Sequence, residues 1–153
     1  MSDHIILKKA TSNDADKIGE VFDLYRQFYK KVSDVELCKK YIKERLDNNE
    51  ADIFFLENNN DCIGLVQLYT TFDSLELSKK IVLYDLYVKS EFRTQGLGKK
   101  LMSAALEFAK KNKISGIELS TEKNNTTAQS LYEGLGYERD KDFYNYYLSI
   151  TND

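Results

Sequence analysis

The segment that most constrains the fold is Arg93–Gly98, which stands between an apolar, strand-like stretch at 81–88 and an amphipathic, helix-like stretch ending near Lys111. Its two glycines let the backbone adopt unusual dihedral angles and approach a ligand closely. The first N–H groups of a helix have no intrahelical partner, and the helix dipole places about half a positive charge there. The pattern therefore predicts a turn that binds an anion such as a diphosphate.

Two other phosphate-binding loops do not fit this segment. The spacing before Lys99, and the absence of Ser or Thr after it, exclude the P-loop of nucleotide triphosphatases. Two glycines rather than three, without a first βαβ unit, exclude the dinucleotide-binding fingerprint. Arg93 and Lys99 would add charge-assisted contacts to a phosphate. A plain glycine-containing helix start remains the alternative for these residues taken alone.

The rest of the chain alternates strand-like and helix-like segments, with no proline and no low-complexity stretch, so we expect one domain over 1–153. The expected strands are 5–7, 53–56, 62–70, 81–88, 117–121 and 143–150. The expected helices begin after 11–14 and at 34, 96 and 125, and end near 28, 46, 111 and 135. Gly136 is expected to end the last helix in a left-handed conformation. The order β-α-α-β-β-β-α-β-α-β predicts a mixed α/β sheet.

Composition narrows the function classes. A formal net charge of −3, with basic residues spread along the chain, is untypical of a nucleic-acid-binding protein. No apolar run approaches the roughly 20 residues of a membrane span, and the first four residues lack a signal-peptide pattern. Cys38 and Cys62 have no metal-site spacing, and the lone His4 makes a histidine-based metal site or a Ser/His triad implausible. We expect a cytoplasmic protein that contains no metal and binds neither nucleic acid nor membrane.

Two blocks of the sequence resemble the GNAT superfamily of N-acetyltransferases. The first is Arg93-x-x-Gly96-x-Gly98 after a strand, and the second runs from Asn125 through Leu131-Tyr132 to Gly136-Tyr137. The resemblance implies the acyl-CoA N-acyltransferase fold, with a mostly antiparallel central sheet and helices on both faces, and acetyl-CoA as acyl donor. It assigns the pyrophosphate to Arg93, Thr94, Gln95, Gly96, Leu97, Gly98 and Lys99. It assigns the pantetheine arm to the backbone of Leu86, Tyr87 and Val88, and a further cofactor contact to Asn125.

The same resemblance makes Tyr132 the general acid that protonates the departing thiolate. From spacing alone, Tyr132 is a core aromatic residue beside Ala128, Leu131 and Leu135. Reference pKa values near 8.5 for a thiol and near 10 for a phenol make the proton transfer nearly balanced.

An amine nucleophile must first lose a proton, because its reference pKa is near 10.4. Asp85 is the best candidate base by position, since a charge within an apolar strand is costly unless it is paired or used. An ion pair or a sheet-edge position would also explain it. Glu118, Glu122 and a water relay remain open, and the glutamate that some relatives have five residues before the asparagine is Ser120 here.

The acceptor site is predicted from aromatic and acidic residues, which suit an ammonium ligand through cation–π attraction. Tyr25, Tyr29 and Asp73 are the candidates, although such residues also occur in ordinary cores. The tyrosine-rich segment 143–147 suits either an acceptor site or the interface of a homodimer.

The chain looks most similar to histone and polyamine (diamine) acetyltransferases, but diamine acetyltransferases have a glutamate where Tyr84 stands. We therefore expect direct acetyl transfer, in a ternary complex, to a primary amine of a small molecule that resembles a polyamine or an amino acid. Acetylation of a protein lysine or N-terminus, and a non-catalytic acyl-CoA sensor, are the alternatives.

Overall fold

The computed structural model describes residues 4–151, which fall into two compact units with their boundary between Ser120 and Thr121. The strands of the first unit are β1 (Ile5–Lys9), β2 (Asp52–Asn58), β3 (Asp61–Asp73), β4 (Ser78–Val88) and β5 (Ile117–Glu118). Its helices are α1 (Ala15–Phe28), α2 (Val35–Asp47) and α3 (Leu97–Lys111), and the second unit contains α4 (Thr126–Gly134). A single domain over 1–153 stays a prediction.

The first unit is built on a five-stranded sheet in the order β1-β2-β3-β4-β5. Neighbouring strands are antiparallel except β4 and β5, which run parallel and are connected through α3. The tight turn between β2 and β3 lies at Asn59 and Asn60, whose φ angles are positive, a conformation that asparagine adopts more readily than most residues. The predicted mixed, mostly antiparallel sheet is confirmed.

Helices cover both faces of this sheet. Ile18 and Phe22 of α1 and Ile42 of α2 share one core cluster with Phe55 of β2. The preceding residue, Phe54, contacts the ring of Phe108 in α3 at a centroid distance of 5.8 Å. Because successive residues of a strand point to opposite faces, α3 lies on the other side of the sheet from α1 and α2.

Strand β4 carries one residue more than the part of β3 that it pairs with. The register shifts after Gln67, whose partner is Asp85, and leaves Tyr84 as the extra residue. Such a bulge interrupts the alternation of side chains along its strand. Tyr84 therefore shares a face with Asp85: its ring lies 5.5 Å from the ring of Tyr69, and Asp85 is hydrogen-bonded by Gln67. This is the face that α1 and α2 cover.

On its other edge, β4 is longer than its parallel neighbour. The pairing with β5 ends at Val82 and Glu118, whereas β4 continues to Val88. Just after the strand, the N–H of Lys89 donates to a carbonyl of β3. Since such bonds alternate along an antiparallel pair, the backbone groups of Leu86 and Val88 point away from β3, towards the side where β5 has ended.

In the second unit, a left-handed turn ends α4. Gly136 has a φ of +97°, its N–H donates to Glu133, and the N–H of Tyr137 donates to the carbonyl of Tyr132. This pair of bonds is the Schellman motif, which satisfies the last carbonyls of a helix. The conformation predicted for Gly136 is confirmed.

Two strand predictions differ from the structure. β5 covers 117–118 rather than 117–121. Residues 143–150 were expected to form a last strand, and this prediction is wrong, because the segment is neither helix nor strand and its aromatic side chains are exposed. Aromatic residues favour strands, but the backbone of a strand must also bond to a neighbour. Among its described residues, 121–151, the second unit contains no strand that could serve as that neighbour.

Candidate active site

The first turn of α3 is the local feature that the sequence predicts for anion binding. Gly96 precedes the helix with a φ of +76°, a left-handed conformation. A Cβ placed on Gly96 would meet no atom within 4 Å, so the turn is open at this point. α2 and α4 each begin with a side chain that accepts a bond from the first turn, whereas, within the described chain, the N-cap residues of α1 and α3 make no such bond. The first turn of α3 instead carries Lys99 and Lys100 and no acidic residue, so an anion would stabilise it.

Arg93 connects this turn to the sheet. Its Nε donates to the carbonyl oxygen of Val88 at 2.9 Å, and its guanidinium carbon lies 5.2 Å from the ring of Tyr87 and 5.7 Å from that of Phe28. These distances are typical of cation–π contacts. A guanidinium has five N–H donors, so the Val88 bond leaves donors for a phosphate. Thr94, next to Arg93, has a positive φ of 65° and its hydroxyl donates back to the Arg93 carbonyl at 2.6 Å.

The free edge of β4 and the start of α3 are connected by the bond between Arg93 and Val88. Together they could bind an elongated anionic molecule. The backbone groups of Leu86 and the N–H of Val88 point to this free edge, whereas the Val88 carbonyl accepts the bond from Arg93 and the groups of Tyr87 face β3. The family resemblance implies that all three residues bind the pantetheine arm, and the strand pairing leaves the backbone of Leu86 and Val88, but not that of Tyr87, on the free side of β4. The open turn and the free edge both fit an acyl-CoA.

The side chain of Asp85 lies on the face of the sheet that α1 and α2 cover, and the residue is 5% exposed. Its Oδ2 accepts a hydrogen bond from Nε2 of Gln67 at 2.8 Å. Burial raises the pKa of this carboxyl, and hydrogen bonds from Gln67 and Tyr25 lower it in part, so that the pKa stays above its usual value. A carboxylate with a raised pKa is a better proton acceptor near neutral pH than an ordinary aspartate.

Tyr25 hydrogen-bonds to Asp85, and other tyrosine rings lie close to Tyr25. The ring of Tyr25 lies 5.2 Å from that of Tyr29 and 6.0 Å from that of Tyr87. On the other side, the hydroxyl of Tyr69 is 2.9 Å from the hydroxyl of Tyr41. Burial, the bond to Tyr41 and the charge of Asp85 all raise the pKa of Tyr69, which keeps this phenol neutral. The group combines a carboxylate with ring faces, an arrangement that suits an ammonium ion.

The structure brings the predicted residue Tyr25 to Asp85 and places Tyr29 against Tyr25, but Asp73 lies elsewhere. Asp73 pairs with Ser78 at the far end of β4, seven residues from Asp85, which is about 23 Å along a strand. Its carboxylate accepts a bond from the N–H of Glu76 in the adjoining turn. Glu118, the alternative base on β5, forms an ion pair with Lys80 at 3.2 Å. An acceptor-site role for Asp73 stays a prediction from the sequence.

Asn125, Tyr132 and Glu122 lie in the second unit. The side-chain oxygen of Asn125 accepts a bond from the N–H of Ala128 at 3.2 Å and so caps α4. The ring of Tyr132 lies 6.1 Å from that of Tyr137, which the Schellman turn brings back over the helix. Tyr132 is thus oriented by a contact that the two predicted residues Gly136 and Tyr137 provide. The cofactor contact of Asn125 and the acid role of Tyr132 stay predictions.

Gln67 and Tyr84 were not among the residues predicted for the site. No local pattern marks Gln67 as the partner of Asp85, because their pairing depends on the register of two strands. Tyr84 faces the site only because of the bulge in β4. The one sequence feature that indicates a buried polar partner is the aspartate within the apolar strand-like segment 81–88.

The comparisons with known proteins agree with this geometry. The model of the acetyltransferase (GNAT) family matches residues 18–137. An uncharacterized N-acetyltransferase of Bacillus subtilis (strain 168), YhfO, is 40% identical over 144 residues, which are 94% of this chain and 97% of that protein. The crystal structure of a probable acetyltransferase superposes with a TM-score of 0.89 at 31% identity, covering 97% of this chain and 99% of the other.

A more distant structure has the same fold. The aminoglycoside N-acetyltransferase AAC(6')-Iy in complex with CoA superposes with a TM-score of 0.80 at 15% identity, over 96% of each chain. Together with the family match, these findings show that the chain belongs to the GNAT family and is an N-acetyltransferase, a class of enzyme that uses acyl-CoA. Within residues 4–151, no helix has the length and apolarity needed to span a bilayer.

Proposed function

We propose that this enzyme transfers an acetyl group from acetyl-CoA to a primary amine of a small molecule that resembles a polyamine or an amino acid. The observation that carries the proposal is the buried carboxylate of Asp85, which is hydrogen-bonded by Tyr25 and lies on β4, the strand whose free edge would hold the pantetheine arm. A cationic amine is attracted by such a group. The complex of the related AAC(6')-Iy with CoA supports the choice of donor, and its name indicates an amine acceptor.

Different residues of the chain would bind different parts of acetyl-CoA. Backbone N–H groups at the start of α3, with Arg93 and Lys99, would hold the pyrophosphate, and the backbone of Leu86 and Val88 would align the pantetheine arm. The family resemblance assigns a further cofactor contact to Asn125. Acetyl-CoA supplies an activated thioester, whose C–S bond breaks as the new C–N bond forms.

The nitrogen loses two protons in this reaction, and the leaving sulfur gains one. Asp85 would take the proton that the ammonium loses before attack, and its raised pKa suits this role. The phenolic oxygen of Tyr132 would give a proton to the leaving sulfur, which is the role that the family resemblance assigns to it. The second proton of the nitrogen, lost as the amide forms, would restore the phenol, so the donor ends as a free thiol and one proton is released overall, by way of Asp85.

The acid role is tested with Tyr132→Phe, with Tyr137→Phe as the matched control that removes a hydroxyl from the same ring pair. Loss of a general acid lowers turnover by about 10²–10⁴-fold. We expect this loss in kcat for Tyr132→Phe, with the Kd of acetyl-CoA preserved, and near-normal turnover for Tyr137→Phe. A near-normal kcat in Tyr132→Phe would overturn the assignment.

The base role is tested by the pH dependence of kcat/KM. In the wild type, activity should fall as pH drops through the pKa of Asp85, at a pH above the ordinary aspartate value of about 3.9. Asp85→Asn should remove this acidic limb and slow the reaction. An unchanged acidic limb in Asp85→Asn would mean that Asp85 is not the base, and that Glu118, Glu122 or a water relay accepts the proton instead.

Acetylation of a protein lysine or N-terminus and a non-catalytic acyl-CoA sensor are weaker alternatives. The tyrosine rings near Asp85 favour a small acceptor over an extended peptide. A cytoplasmic location, a homodimer and the lack of a nucleic-acid partner stay predictions from the sequence.

A further inference from the structure

We propose that Gln67 is a positioning residue whose side-chain amide changes its orientation when Asp85 gains or loses a proton. When the carboxylate is ionised, the amide donates through Nε2. When the carboxyl carries a proton, the amide turns over so that Oε1 accepts that proton's hydrogen bond. Only the final consequence, for the rate of acetyl transfer, rests on the proposed function.

The geometry of the buried pair supports this. Gln67 is fully buried and Asp85 nearly so, with Nε2 and Oδ2 2.8 Å apart. The other amide atom of Gln67, Oε1, is buried and has no hydrogen-bond partner. Buried polar atoms are rarely left in this state, so the unpaired oxygen needs an explanation.

A proton on Asp85 would give this oxygen a donor. A neutral carboxyl is a donor as well as an acceptor, and an amide oxygen is a strong acceptor. The oxygen and nitrogen of an amide are nearly isosteric, so a half-turn of the Gln67 amide exchanges them without moving the backbone. In either state one bond joins the pair and one amide atom remains unpaired. Asp85 can therefore gain or lose a proton without leaving its partner.

The other groups that face Asp85 do not provide this alternation. Tyr25 of α1 hydrogen-bonds to the carboxyl, and a phenol at neutral pH donates to either protonation state. The charge of Asp85 raises the pKa of Tyr69 of β3, whose hydroxyl is bonded to Tyr41 of α2. Arg45 of α2 is stacked over Tyr41, one residue further out.

Tyr84 and Tyr87 are the tyrosines of β4 nearest to Asp85 in sequence, and neither is among the groups that shift its pKa. Burial raises that pKa, hydrogen bonds from Gln67 and Tyr25 lower it in part, and no lysine or arginine of the described chain contributes to the shift. Gln67 is thus the partner whose removal should most change the balance between the two protonation states.

The experiment measures the titration of Asp85 directly, on the full chain with 13C-labelled aspartate, the signal being assigned with Asp85→Asn. Gln67→Met removes the hydrogen bond at similar volume. Leu65→Met is the matched control, since Leu65 lies two residues away on the same face of β3 and is also fully buried. Gln67→Met loses a bond to the ionised form and a weaker bond to the neutral form of Asp85, and the difference between the two is equivalent to up to about one pKa unit. We expect the midpoint of Asp85 to rise by that amount in Gln67→Met and to stay unchanged in Leu65→Met.

A second readout concerns the amide itself. In the wild type, the side-chain NH₂ resonances of Gln67 should shift with the same midpoint as Asp85, because Nε2 loses its carboxylate partner on protonation. Should Gln67→Met fail to fold, Gln67→Glu places two carboxyl groups together, and the first to ionise should disfavour the second and raise the coupled midpoint. An unshifted midpoint in the folded variant, or amide resonances that do not titrate, would overturn the proposal.

The acidic limb of kcat/KM separates this proposal from the function it extends. If the limb moves with the NMR midpoint in Gln67→Met, both stand. If the midpoint moves and the limb does not, Gln67 still positions Asp85, but Asp85 is not the base. If neither moves, the positioning role fails.

Discussion

The start of α3 allows a test in which the backbone strain is matched and only the ligand differs. Gly96 and Gly136 both have positive φ angles, of 76° and 97°, and a Cβ on either would meet no atom within 4 Å. Substitution by alanine therefore introduces strain without a collision at both positions. Gly96 lies at the proposed pyrophosphate site, whereas Gly136 ends α4.

The strain follows from the conformation. A non-glycine residue in the left-handed region costs about 1–2 kcal/mol, so each variant should unfold about 2–8 °C below the wild type. A methyl group at Gly96 also stands where the backbone must approach a phosphate closely. Losing one charge-assisted N–H bond costs about 1.5–3 kcal/mol, which corresponds to roughly a ten- to hundredfold rise in Kd.

Isothermal titration of both variants with CoA gives the decisive comparison. We expect Gly96→Ala to bind CoA at least about tenfold more weakly than the wild type and Gly136→Ala to bind it normally, although thermal unfolding shows similar destabilisation. Equal and undiminished affinity in the two variants would refute the assignment of the pyrophosphate to this turn. Weaker binding by both would mean that destabilisation, not the site, controls affinity.

Three further predictions follow from contacts of single residues. Arg93→Lys keeps the charge but loses the planar contact with the sheet and the Nε bond to Val88, so we expect a higher KM for acetyl-CoA with little change in Tm; an unchanged KM would contradict the role of Arg93. Asp23, which is 2% exposed, accepts bonds from Gln27, Ser33 and the N–H of Asp34. Asp23→Ala should therefore lower the free energy of unfolding by about 2–4 kcal/mol in urea titrations; a loss below about 1 kcal/mol would contradict it. Burial raises the pKa of Cys62 to about 12 and also raises that of Cys38, so neither thiol should react with Ellman's reagent at pH 8 until the protein unfolds, and rapid reaction of the native protein would show that the core opens.

The Asp23 prediction has a defined pH dependence. Burial raises the pKa of this carboxyl, but the hydrogen bonds from Ser33, Asp34 and Gln27 outweigh burial and lower it below the usual value. The stabilisation is therefore present above the unfolded pKa of about 3.9 and is lost as pH falls through the lower, folded value. The difference in stability between the wild type and Asp23→Ala should shrink in that acidic range and remain constant above it.

Features that depend on neighbouring residues in the chain could be predicted from the sequence. The turn at Arg93–Gly98 needs only glycines before an amphipathic helix, and Gly136 needs only a helix end. Both appear in the structure as expected. The helices followed from the spacing of apolar residues along each of them, which is also a local property, whereas their placement on both faces of the sheet was implied by the family resemblance.

Features that depend on pairing between distant segments could not be predicted. The bulge at Tyr84 and the bond between Gln67 and Asp85 arise from the register of β3 against β4. The same limitation explains the error at 143–150, where a strand-like composition does not supply a partner. An acidic residue beside aromatic ones predicts an acceptor-site role for Asp73, but Asp73 lies near the turn of the β3–β4 hairpin, far from Asp85.

The most direct test of acetyl transfer to an amine follows the acetyl group itself. The enzyme is incubated with acetyl-CoA carrying a 13C-labelled acetyl group and a panel of polyamines, amino acids, aminoglycosides and peptides. Mass spectrometry then identifies any acetylated amine, while free thiol is measured in parallel. We predict a labelled amide on a small primary amine, formed in equal amount to the free CoA and strongly reduced in Tyr132→Phe. Binding of acetyl-CoA without any labelled amide, or thiol release without an acetylated product, would contradict the account.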